Sequence, residues 1–98
     1  MIESLRARFL SRFIESARER IDRALALDAV GADGAFGNIA NELHGLGGEA
    51  SMLELSEISG LARSCEKAAR HGDRNGVRRG LEGLRMATEA LGSRPSSE

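Results

Sequence analysis

Tryptophan and tyrosine are missing from this 98-residue chain, and three phenylalanines are its entire aromatic content. Single-stranded nucleic acid is held by aromatic side chains along a basic groove, and the sequence offers neither half of such a site. The formal net charge is −1, so there is no basic field to attract nucleic acid and no acidic excess that would mark a disordered tail. Cys65 is the lone cysteine, which rules out an internal disulfide and leaves a cysteine-based zinc site without ligands. Pro95 is the only proline, so between Met1 and Arg94 no ring forbids a helix. No run approaches the roughly 18 apolar residues that a bilayer crossing needs. The start, MIESLRARFLSRF, threads Glu and Arg through its apolar residues and does not read as a signal peptide. The expectation is a cytoplasmic protein with neither membrane nor nucleic acid among its partners. Lys67 is the one lysine and every other cation is arginine, which with the abundant Ala and Gly points to a GC-rich, bacterial source.

What remains is a helical pattern. Ninety-eight residues suit one domain, expected over residues 1–92 with residues 93–98 as a flexible tail. A first helix is expected from Ile2 to about Leu27, with Ile2, Leu5, Phe9, Phe13, Ala17, Ile21 and Ala24 on its core face. The Gly- and Asp-rich stretch Asp28 to Asn38 reads as a loop. Phe36, Ile39, Leu43, Leu46, Ala50 and Leu53 then step by three and four along a second helix. A break near Glu54 to Ser56 admits a turn, with Ser56 as N-cap of a third helix that buries Leu55, Ile58, Leu61, Ala62, Cys65 and Ala69. Gly72 suits a left-handed helix end, and Asp73 can cap a fourth helix carrying Val77, Leu81, Leu84, Thr88 and Leu91. Four amphipathic helices with short connections make an all-α protein, an antiparallel up-down four-helix bundle. A monomer is expected.

Chemistry concentrates at His44. At about 100° per residue it lies about 130° from the centre of the second helix's apolar face, on an exposed flank. Its expected surface neighbours, Gly37, Ala40, Gly47, Gly48 and Ser51, are all small. Gly45, Gly47 and Gly48 together cost a helix about 2–3 kcal/mol, which suggests that something must approach the histidine closely. The bland alternative is a loop at HGLGG with His44 an ordinary surface residue. Against it, Leu43, Leu46, Ala50 and Leu53 hold helical phase through the glycines. A phosphate-cradling loop lacks its Gly-Lys-Ser/Thr.

ANELHGLGGEASMLEL, followed by ISGLARSCEKAARHGD, resembles the signature of histidine-containing phosphotransfer (HPt) domains. That signature reads approximately His-x-Leu-Lys-Gly-x-Ala/Ser-x-x-Leu-Gly, then a helix with an apolar ladder and a Gly-Asp break. The matching positions are His44, Leu46, Gly48, Ala50 and Leu53, and a weaker likeness covers nearly the whole chain. Two positions depart from it: Gly47 stands where the family usually has Lys, and Glu54 where it often has Gly. The resemblance implies a phosphocarrier rather than a multiple-turnover enzyme. His44 would accept a phosphoryl group from the aspartate of a response-regulator receiver domain and pass it to another, a hybrid sensor histidine kinase being a further partner. Ala40, Gly45, Gly47, Gly48 and Ser51 would form the docking surface. Arg63 or Lys67 would supply the missing cation, unless both simply face solvent. No cofactor of its own is implied, with Mg²⁺ expected on the receiver.

Three other readings stay open. A histidine-kinase dimerisation domain would place an acidic residue after the histidine, where this chain has Gly45. A degenerate adaptor would bind receivers or kinases without accepting phosphate. Metal binding would need His44 and His71 together, whereas His71 fits better as a helix-end residue complementing the dipole. Cys65 reads as a small buried hydrophobe, and Gly76, Gly80 and Gly83 as close packing along the fourth helix, with a groove for a partner as the second reading.

Overall fold

The computed structural model describes residues 2–31 and 34–93, with side chains from Ser4 onward. Four helices account for nearly all of it: α1 Ile2–Val30, α2 Ala35–Met52, α3 Ser56–Arg70 and α4 Arg74–Gly92. No strand occurs among the described residues. Each helix packs on its chain neighbours, α4 closes back on α1, and diagonal pairs make no backbone approach. This is the expected four-helix bundle. Pro95 and most of the expected tail, residues 94–98, lie outside the described residues, as does the side chain of Ile2.

The core follows the helical ladders. Phe13, Ala17, Ile21 and Ala24 of α1 meet Ile39, Leu43, Leu46 and Ala50 of α2, and α3 and α4 add Ile58, Ala62, Cys65, Val77, Leu81 and Leu84. Many of these are Ala, which lets the backbones approach closely. At Gly80 a Cβ would stand 2.6 Å from the Sγ of Cys65, so α4 can lie on α3 only because that atom is missing. Burial pushes the Cys65 thiol up to about 11, and its Sγ donates to the Val77 carbonyl at 3.4 Å. It is the inert buried residue expected.

Two features of α1 differ from expectation. Leu5 and Phe9 hold the phase of the core face yet are 52% and 48% exposed. α1 has 29 residues against 18 in α2, and Arg6 already reaches the Leu53 carbonyl at the far end of α2. The first turn therefore overhangs the bundle and leaves Leu5 little to pack on, while Phe9, a turn further in, lines an open groove between α1 and α2. At its other end α1 runs on to Val30, so the loop is shorter than Asp28 to Asn38. Asp28 is buried and accepts from Arg78 Nε at 3.0 Å, tying the last turn of α1 to α4.

The next two turns share one hydrogen-bond pattern. After α3, Gly72 N–H donates to Ala69 and Asp73 N–H to Ala68, with Gly72 at φ 68°. After α2, Glu54 N–H donates to Ser51 and Leu55 N–H to Ala50, with Glu54 at φ 61°. Both are left-handed helix ends of the kind that favours glycine. Because Leu55 closes this turn and is also the cap of α3, Ser56 falls inside α3 as its first residue and is not the N-cap expected. Asp73 does cap α4, accepting from the Gly76 N–H at 3.0 Å.

Candidate functional site

α2 runs unbroken through HGLGG, which removes the loop reading. The apolar ladder explains why. Leu43, Leu46 and Ala50 are buried on one face, and their burial holds helical conformation across three glycines that disfavour it. His44 projects from the opposite flank with 77% of its side chain exposed.

The small residues around it separate into three groups. Gly48 and Ser51 are exposed beside His44, and a Cβ on Gly48 would meet nothing within 4 Å. Gly37 is equally open. Gly45 faces α1, where the Arg20 guanidinium lies over it within 2.9 Å of a would-be Cβ. Ala40 and Gly47 are corrections to the expected docking surface, because both are buried. They lie on the side of α2 that α3 covers, and a Cβ on Gly47 would stand 3.5 Å from that of Ala62. Asn41 and Met52 take their places on the exposed flank, Met52 at 84% exposure. Below Met52, an apolar groove of about 500 Å³ continues between α1 and α2 past Phe9, Phe13 and Leu53.

The packing of α3 on α2 brings a carboxylate to the histidine. Glu66 of α3, 17% exposed, places Oε2 at 3.4 Å from His44 Nδ1. Arg70, one turn on, donates to the same oxygen from Nε at 3.0 Å and from its terminal nitrogen at 2.7 Å. Neither residue stood out beforehand. The Glu-to-Arg spacing of four is a legible helix-surface pair, but that it faces His44 depends on the α2–α3 register. Arg63 lies a turn before Glu66 and is exposed. Lys67 lies about 100° round the helix from Glu66 and is also exposed. Neither is ion-paired among the described residues.

On the α1 side, Arg20 reaches Glu42 at 3.2 Å and Glu49 at 3.5 Å, and Arg23 forks onto Glu42 at 2.9 and 3.1 Å. The Arg23 guanidinium, aided by Arg20, holds the Glu42 carboxyl below its usual range although burial opposes this. Ser16 Oγ donates to Glu49 at 3.1 Å. This network clamps α1 to α2 behind the histidine. His71 is engaged elsewhere, its Nδ1 2.8 Å from the Lys67 carbonyl at the end of α3, in keeping with a helix-end role.

Chemically, the site is a solvent-facing imidazole with one nitrogen turned to a carboxylate and small residues alongside. It has no walls to enclose a small substrate. No helix among the described residues is long and apolar enough to cross a membrane. Residues 8–94 match the Hpt domain family. Over 93 residues, 91% of this chain, the sequence is 33% identical to a gliding motility regulatory protein of Myxococcus xanthus. The chain spans only 11% of that relative's length. No solved structure matches it. With a helical bundle, an exposed histidine on its second helix and a match along most of its length, the chain belongs to the Hpt domain family, that of histidine-containing phosphotransfer domains.

Proposed function

We propose that this chain is a phosphohistidine carrier in which His44 takes a phosphoryl group from the aspartate of a receiver domain and returns it to another. The observation that carries the reading is the geometry of His44: a ring 77% exposed with Nδ1 at 3.4 Å from Glu66. Family membership and the regulatory relative support a phosphorelay-related role, since Hpt domains work with receiver domains and kinases.

The mechanism follows from the two ring nitrogens. In neutral imidazole one nitrogen carries the proton and the other the lone pair, and the partner of the first decides which is which. A proton on Nδ1 is favoured by Glu66, leaving the Nε2 lone pair directed outward as nucleophile. Attack forms the N–P bond as the P–O bond to the receiver's aspartate breaks, and that electron pair stays on the aspartate carboxylate. Positive charge grows on the ring, and the Glu66 carboxylate stabilises it. Most of the remaining barrier is lowered by positioning and by Mg²⁺ on the receiver. Gly37, Asn41, Gly48, Ser51 and Met52 form the surface on which a receiver settles.

The test is to mix the chain with phosphorylated receiver domains and assay for acid-labile, alkali-stable phosphate. Transfer to the intact chain and none to His44→Gln is expected. Receiver binding without transfer would instead make the chain an adaptor.

A further inference from the structure

We infer that Arg70 is the phosphate-compensating cation of this site, acting beside His44 through Glu66. The inference rests on the carrier reading and identifies a residue that neither the motif nor the family match assigns.

Glu66 presents a difficulty for any anion approaching His44. Its carboxylate favours the productive tautomer, yet a bare negative charge beside the ring repels the phosphoryl oxygens that must come to Nε2. Glu66 is only 17% exposed, so water screens it less than it would a surface carboxylate. Arg70 removes the difficulty. Its Nε and one terminal nitrogen both donate to Oε2, the same oxygen that faces His44 Nδ1. One carboxylate atom thus joins cation and nucleophile, and the pair presents little net charge to the incoming group. Guanidinium carries five N–H donors, and this contact uses two, which leaves donors for phosphoryl oxygens.

An i,i+4 pair on a helix surface usually contributes little, so Arg70 would ordinarily be set aside. Sharing of one oxygen, on a side chain only 17% exposed, by His44 Nδ1 and two Arg70 nitrogens distinguishes this pair. The register of α2 and α3, which sets Gly47 against Ala62, carries the Glu66–Arg70 pair of α3 up to His44. Arg63 and Lys67 lack this link to the ring, and their charges stand apart from the oxygen that faces it.

The experiment measures transfer rates from one phosphorylated receiver domain to variants of the full chain, with thermal midpoints as a control on folding. Arg70→Gln is expected to slow transfer about tenfold, and Arg70→Lys by clearly less, because it restores charge without the fork. Arg63→Gln and Lys67→Gln are expected to stay within about twofold of the unaltered chain. Wild-type rates in Arg70→Gln would overturn the inference while leaving the carrier reading intact. So would a slow Arg70→Gln that Arg70→Lys fails to improve. An unaltered chain as inert as His44→Gln would remove both.

Discussion

Glu54 is the one non-glycine described residue with positive φ, and its counterpart in the next turn, Gly72, shows what the position prefers. An L side chain in the left-handed region costs roughly 1–2 kcal/mol, which glycine avoids at the cost of a more flexible unfolded chain. Glu54→Gly is therefore expected to stabilise the domain by about 1 kcal/mol, raising the thermal midpoint by roughly 4–8 °C. An unchanged or lowered midpoint would show that Glu54 gains there something the turn geometry does not reveal. Gly48 makes the opposite case. A Cβ there meets nothing within 4 Å, so Gly48→Ala should stabilise α2 by about 0.8–1 kcal/mol simply by replacing a helix-interior glycine. The same methyl would stand on the open flank of His44 and is expected to slow transfer from a receiver. If Gly48→Ala raises the midpoint and transfers at the unaltered rate, Gly48 has no part in docking.

At the scale of elements, α2 is held in two different ways. Toward the core its apolar ladder carries it through three glycines. Toward α1 it is clamped by Arg20, Arg23, Glu42 and Glu49. The folded state holds the Glu42 carboxyl below its ordinary value near 4.5. A depressed carboxylate contributes stability that is present in full above the unfolded value and is lost as pH falls through the folded one. Glu42→Gln should thus lower the thermal midpoint at neutral pH, and the gap to the unaltered chain should close as pH falls below about 4.5. A gap that stays constant down to pH 3 would mean that the charge of Glu42 does not hold the clamp. Toward α3, Gly47 lies against Ala62 in ordinary contact, and the register of the two helices sets Glu66 beside His44.

For the molecule as a whole, periodicity alone was enough to read the bundle. Ladders such as Ile39, Leu43, Leu46 and Ala50 have one physical solution, burial against other helices, and short connections fix the order. The exposure of His44 followed from the same projection. Two kinds of information were not legible. The end of a neighbouring helix cannot be seen in a ladder, so Leu5 looked like core although α1 outruns its partners, and Phe9 did so although it borders an open groove. A single-helix projection also says nothing of which flank the next helix covers. Ala40 and Gly47 consequently looked as open as Gly48, while Glu66 and Arg70, twenty-two and twenty-six positions beyond His44, were not tied to it. Register between α2 and α3 supplies both corrections.

The most direct measurement of the carrier role is the imidazole ¹⁵N spectrum of the full chain before and after phosphorylation by a receiver domain. Coupling to phosphorus is expected at Nε2 of His44, with Nδ1 turned to Glu66. Phosphorus on His71, on Nδ1 of His44 or on no histidine at all would contradict it.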